Sequence, residues 1–171
     1  CKKDDPAPDM GPGPRDYSVS VSGKIVTVKN LDADTVLGIG AQGPYGAGKY
    51  TFFSLANNSR VNNADSATSN WDIAFKGQRI IVNSGTSGPG NGGAFVYING
   101  FDAISSVPTD STFRTDNIGT NSYAITYGSG NGWYNYDGPN NLVTPIPGRT
   151  LIIRTANGKY AKLEILNYYR G

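Results

Sequence analysis

The stretch from Trp71 to Asn83 restricts the fold of this chain more than any other. Trp71, Ile73 and Phe75 alternate with Asp72, Ala74 and Lys76, and a period of two puts the three large apolar side chains on one face of a strand. Lys76-Gly77-Gln78 supplies a turn, after which Arg79-Ile80-Ile81-Val82-Asn83 carries the unbroken apolar run of a buried strand. A hairpin in the middle of a core is predicted. Five glycines lie between Gly85 and Gly93, and a loop of that composition takes up positive φ and brings backbone close to another group. It is either the closing loop of a core hairpin or the place where a ligand finds room.

Other segments repeat the strand signature. Tyr17-Ser18-Val19-Ser20-Val21-Ser22 alternates, Gly23-Lys24 turns, and Ile25-Val26-Thr27-Val28-Lys29 returns. Tyr50-Thr51-Phe52-Phe53-Ser54-Leu55 is aromatic and β-favouring, with Phe53 and Leu55 on one face, and Ala94-Phe95-Val96-Tyr97-Ile98 is a further strand. Residues 150–155 and 159–166 form a last hairpin on Asn157-Gly158, with Ala161, Leu163 and Ile165 toward the core and Lys162 and Glu164 outward. Strong helix formers are scarce, since Glu164 is the only glutamate against 23 Gly and 10 Pro. The predicted class is all-β, a single domain of antiparallel sheets and hairpins with long Gly/Pro-rich loops. At 171 residues one core suffices. The longest irregular region spans residues 102–127, with room for a short helical turn, and loops of that length in compact domains tend to be functional or mobile.

Two domains of unequal kind are expected, a tether over residues 1–16 and the β domain over 17–171. Cys1, the only cysteine, precedes Lys2-Lys3-Asp4-Asp5-Pro6-Ala7-Pro8 and Gly11-Pro12-Gly13-Pro14. That arrangement resembles a mature bacterial lipoprotein, with a lipid on Cys1 and an extended Pro/Gly spacer. Lys3-Asp4-Asp5 is also similar to the lysine-acidic export signal of surface lipoproteins in Bacteroidota. The expected location is the outer membrane, lipid-anchored, at the cell surface rather than on the periplasmic face. Cys1→Ser should then release the protein into the soluble fraction with its fold intact; retention in the membrane would refute the anchor.

Several chemistries are excluded by what the chain lacks. A single cysteine permits no internal disulfide, and with no histidine a Cys/His metal cage cannot form. The same absence, with one glutamate and no motif around the aspartates, leaves neither a catalytic triad nor a paired acid and base, so no enzyme is expected. Net charge is +2 with no Lys/Arg cluster beyond Lys2-Lys3, which gives nucleic acid no patch. No run of ~20 apolar residues spans a membrane. Asn30-Leu31-Asp32-Ala33-Asp34 has the alternate oxygens of a calcium loop, but Thr35 stands where the turn glycine belongs and Ala41 where the bidentate glutamate belongs. Gly38-Ile39-Gly40-Ala41-Gln42-Gly43 and Gly43-Pro44-Tyr45-Gly46-Ala47-Gly48-Lys49 match nucleotide-loop spacings. Both need a helix next, and the second needs a hydroxyl where Tyr50 stands. A strand is predicted there instead.

A second aromatic group lies at Gly130-Asn131-Gly132-Trp133-Tyr134-Asn135-Tyr136-Asp137-Gly138-Pro139. Together with Asn70-Trp71-Asp72-Ile73-Ala74-Phe75, the glycine loop to Gly93, Pro145-Ile146-Pro147-Gly148-Arg149, residues 154–162 and Tyr168-Tyr169, it resembles the HmuY family. These are haem-binding outer-membrane lipoproteins of Bacteroidota, and the resemblance runs from about Tyr50 to the C-terminus. It implies an all-β fold, a part in iron acquisition, and delivery of haem to a TonB-dependent receptor. It also implies axial ligation of the iron by two histidines or two methionines. This chain departs there, having no histidine and only Met10, inside the tether.

Two functional classes remain. In the first the protein is haemophore-like, binding haem or a porphyrin, with Trp133, Tyr134 and Tyr136 lining an apolar slot and the glycine loop giving room. Tyr123 and Tyr127 stand near, and a tyrosine can ligate haem iron as its phenolate, although tyrosines at such spacing also serve as core or rim aromatics. In the second the same aromatics hold a glycan or a partner protein.

Overall fold

The computed structural model describes residues 17–34, 36–41, 43–46 and 48–169. The expected tether, with Cys1 and Met10, lies outside them. Strands β1 (Ser18–Ser22) and β2 (Ile25–Lys29) form a hairpin turning at Gly23, and β3 (Val36–Gly40) and β4 (Gly43–Gly46) form a second. Next come β5 (Thr51–Ser54), β6 (Ser59–Val61), β7 (Ile73–Lys76) and β8 (Arg79–Val82), an antiparallel sheet in the order β6-β5-β7-β8. After β9 (Gly93–Ile98), the irregular region runs to β10 (Tyr134–Asp137), which pairs with β11 (Leu142–Pro145). The chain then returns as β12 (Arg149–Arg154) and β13 (Tyr160–Leu163) to complete a three-stranded sheet, β13-β12-β9. The strand expected after Lys49 is therefore β5, and neither nucleotide-loop spacing opens a helix.

The two larger sheets share one core. Phe53, Ile73, Ile80 and Val82 of the first meet Ala94, Leu151 and Ile153 of the second, with Ile125, Trp133, Tyr134 and Val143 closing the same cluster. Each sheet is also covered on its other side. Phe52, Ala74 and Ile81 pack under Trp71 and Tyr123, and Phe95 and Ile152 pack with Ile104. Burial on both faces is why β8 and β12 read as unbroken apolar runs rather than alternating ones. Leu163, Ala161 and Ile165 face the core as expected. Lys162, on the far face, donates from Nζ to the Phe101 and Ile104 carbonyls and so fastens the loop after β9. That loop contains the short helical turn, at Phe101–Ala103.

Three local readings need correction. Trp71 does not share a face with Ile73 and Phe75, because β7 starts only at Ile73 and the chain bends at Asp72. Asp72 is buried, and its carboxylate accepts the Leu55 and Ala156 amides at 2.7 and 2.9 Å. That anchor resets the count of two, and Trp71 swings to the opposite face against Phe52, ring centroids 4.8 Å apart. Asn157-Gly158 does close β12 and β13, but within a longer connection: Arg154 pairs with Tyr160, the Gly158 amide bonds the Thr155 carbonyl, and only Gly158 is left-handed. This is a type I turn with a glycine bulge, the three-to-five-residue solution rather than the two-residue one.

The third concerns the glycine loop, where Gly88 and Gly90 pack closely against the buried Asn83 side chain. A Cβ on Gly88 would lie 2.2 Å from Asn83 Oδ1 and 2.9 Å from the Trp71 ring. Asn83 is fully buried and satisfied: Nδ2 donates to the Thr68 and Trp71 carbonyls, and Oδ1 accepts the Gly90 amide at 2.8 Å. Glycine is required because only bare backbone fits around that amide group. Gly88→Ala is accordingly expected to destabilise by more than 1 kcal/mol, through overpacking against two immobile groups, and chemical unfolding would measure it.

Asp116, in the irregular region, is a second buried hub. Its carboxylate accepts the Val82 and Ala124 amides and the Ser87 hydroxyl at 2.8 to 2.9 Å. Burial raises its pKa above the ordinary 3.8, with those hydrogen bonds pulling it back. The folded chain then holds this proton more tightly than the unfolded one. Its contribution to stability is therefore greatest below 3.8 and falls as pH rises through the raised value. A carbon-13 titration of the Asp116 carboxyl should show a midpoint above 3.8; a midpoint below it would refute this.

Candidate ligand-binding site

The aromatic residues singled out from the sequence converge only in part. Trp133 and Tyr134 are 5% and 4% exposed, members of the shared core rather than walls of an open slot. The Trp133 indole N–H donates to the Gln78 carbonyl at 2.9 Å, which pins this pair to the β7–β8 turn. Tyr123 is also buried, against Phe52 and Ile81 on the outer face of the first sheet. Tyr127 is 43% exposed and its ring lies 6.3 Å from that of Tyr134. Tyr136 stands apart near the tip of the β10–β11 hairpin, exposed, with its hydroxyl bonded to Asn141 at 2.8 Å.

What gathers these tyrosines is Arg79, the first residue of β8. Its guanidinium lies 4.9 Å from the Tyr123 ring centroid and 4.7 Å from that of Tyr127. The phenol of Tyr50 is raised above 10.0 chiefly by burial, the Arg79 guanidinium beside it drawing it back. Lys76, the last residue of β7, lies over the Tyr50 ring at 4.6 Å. The result is a ledge of tyrosine rings carrying two cations, at the end of the first sheet where the Gly77-Gln78 turn lies. Lys76, Arg79 and Tyr50 were not among the sequence candidates. The signal for them was the two-residue turn itself, which makes Lys76 and Arg79 register partners and hence neighbours on one face.

The glycine loop borders a different space. An open groove of about 480 Å³ is lined by Gly85, Gly90, Asn91, Gly92, Arg154 and Tyr160, among others. Trp133 binds at Gln78 and the loop at Asn83, opposite ends of β8. At about 3.3 Å per residue those points are roughly 16 Å apart. The aromatics and the glycine loop therefore do not share one slot, because each is tied to its own end of the strand.

A sequence model of the family described as HmuY protein matches residues 47–171. The chain belongs to the HmuY family. No curated protein matches it. The match covers β5–β13 and leaves the two N-terminal hairpins outside, in agreement with a resemblance beginning near Tyr50. Both larger sheets and the tyrosine ledge fall within the HmuY region.

Among the described residues no three His, Cys, Asp or Glu converge to hold a metal ion. The chain has no histidine, and its single methionine, Met10, lies outside the described residues, so the family's paired axial ligands do not fit. Among the described residues a phenolate is the remaining protein ligand for haem iron, yet burial, with neighbouring Tyr127 adding to it, pushes Tyr134 above 10.0 and disfavours that form.

Proposed function

We propose that this HmuY-family protein binds haem or a related porphyrin through aromatic burial rather than through a pair of axial ligands, as a haemophore-like protein of the outer membrane serving a TonB-dependent receptor. The observation that carries this reading is the HmuY match over residues 47–171. The missing histidines set its form. Affinity then comes from apolar surface removed from water, worth ~25 cal/mol per Å² before the cost of association, and an iron-free porphyrin keeps all of it. Protoporphyrin IX is expected to bind about as tightly as haemin, measured by quenching of tryptophan fluorescence. Haemin binding more than ~100-fold tighter, about 2.7 kcal/mol, would mean that the iron has a protein ligand. Tyr127→Phe, Tyr134→Phe and Tyr136→Phe would then locate it.

The groove beside the glycine loop favours a second reading. Its Asn91 and Arg154 are polar, and Tyr160 is 56% exposed, a combination of ring face and hydrogen-bonding groups that suits a glycan. No Soret shift and no quenching on adding haemin would favour this alternative, or a partner protein, over the porphyrin.

A further inference from the structure

Lys76 and Arg79 face each other directly across the β7–β8 turn. Like charges in that position destabilise a hairpin. Among the described residues neither forms an ion pair with a carboxylate; their partners are the rings of Tyr50, Tyr123 and Tyr127 and, for Arg79, the Tyr50 hydroxyl beside it. Tyrosine faces stabilise a cation only partly, and the Arg79 Nε–H is buried with no hydrogen-bond acceptor. A buried donor left unmade is costly. Arg154, by contrast, lies over the Phe113 ring while Nε and Nη2 donate to the Asn91 and Gly92 carbonyls. The fold thus gives one ring-stacked arginine a backbone acceptor at Nε and leaves the Nε–H of the other without one, next to a lysine that repels it.

Resting on the porphyrin reading above, we infer that Lys76 and Arg79 bind the carboxylates of a planar aromatic ligand lying against Tyr50 and Tyr127. One anion between the two side chains would relieve their repulsion. Arg79, held by the rings, presents a fixed fork to a carboxylate, whereas Lys76 acts as a mobile point charge. Natural porphyrins of the haem class carry two such carboxylates on one edge of a flat apolar disc. A purely structural role for the two cations, as covers over the tyrosines, predicts no preference for a charged ligand edge.

The experiment compares protoporphyrin IX with its dimethyl ester, in the same detergent, by tryptophan quenching of the full chain. The two share a disc and differ in charge. The acid is expected to bind at least tenfold tighter than the ester, with a preference that shrinks as salt is raised. Lys76→Gln combined with Arg79→Gln should erase the preference by weakening the acid alone, and Arg79→Lys should restore part of it. Equal binding of acid and ester by the unmutated protein overturns the carboxylate site while leaving porphyrin binding standing, and that comparison needs no variant to fold. An acid affinity unchanged in a folded double variant overturns it as well. Binding of neither compound removes the porphyrin reading and this site with it.

Discussion

Trp71→Ala is expected to cost about 3 to 5 kcal/mol of folding stability. Trp71 is fully buried and fills the space between Phe52 and the glycine loop. Its indole N–H donates to the Ser66 carbonyl at 2.9 Å, so truncation also leaves that oxygen without its partner. The cavity cannot collapse easily, because Gly88 is already wedged between the ring and Asn83. Urea unfolding measures the loss as a lower midpoint at unchanged slope. A cost below about 1 kcal/mol would show that the ring is dispensable to the core. Trp71→Phe keeps most of the packing and forfeits the hydrogen bond, so it should fall well short of the alanine variant.

Asp116→Ala is expected to cost on the order of 3 kcal/mol or more, since it removes one acceptor from three donors at once. Two of them are the buried amides of Val82 and Ala124, and the third is the Ser87 hydroxyl. Asp116→Asn should cost nearly as much, because turning its amide either way sets N–H against N–H or O–H. Asp110→Ala is the control: Asp110 accepts a solvent-exposed hydrogen bond from the Tyr97 hydroxyl at 3.3 Å, and its loss should stay within about 0.5 kcal/mol. Amide exchange supplies a local reading. In Asp116→Asn the Val82 and Ala124 amides should exchange much faster than those of β12. Equal protection across both would show that the carboxylate is not what holds this segment. The effect should reach the tyrosine ledge, because Ala124 adjoins Tyr123, on which Arg79 rests.

The hairpins were legible because their turns are local. Gly23-Lys24 and Gly77-Gln78 turn where the sequence places them, and the paired strands follow in register. The face of Trp71 was not legible, because it depends on Asp72 accepting an amide from Ala156, 84 residues further on. The site divides in the same way. Trp133, Tyr134 and Tyr123 could be recognised as aromatics near one another, but whether they are core or surface depends on which sheets cover them. Tyr136 shares the alternation of Tyr134 and ends exposed, since the β10–β11 hairpin runs out from the core. The cations went unnoticed for a different reason. Lys76 and Arg79 look like ordinary solvated charges until the absence of any carboxylate partner among the described residues is seen in three dimensions.

The pairing of β9 with β12 has a consequence in time. Gly93 meets Arg154 and Ile98 meets Arg149, so this sheet closes only by bringing together segments separated by fifty residues of largely irregular chain. Such non-local closure carries its entropic cost before any contact repays it, and domains built this way fold in milliseconds to seconds rather than microseconds. Emerging from the N-terminus, the chain can complete the hairpins and the β6-β5-β7-β8 sheet early. That sheet keeps an uncovered apolar face until β12 arrives. Until then the nascent protein is open and vulnerable to aggregation, and a chain cut before residue 149 would never acquire the second sheet.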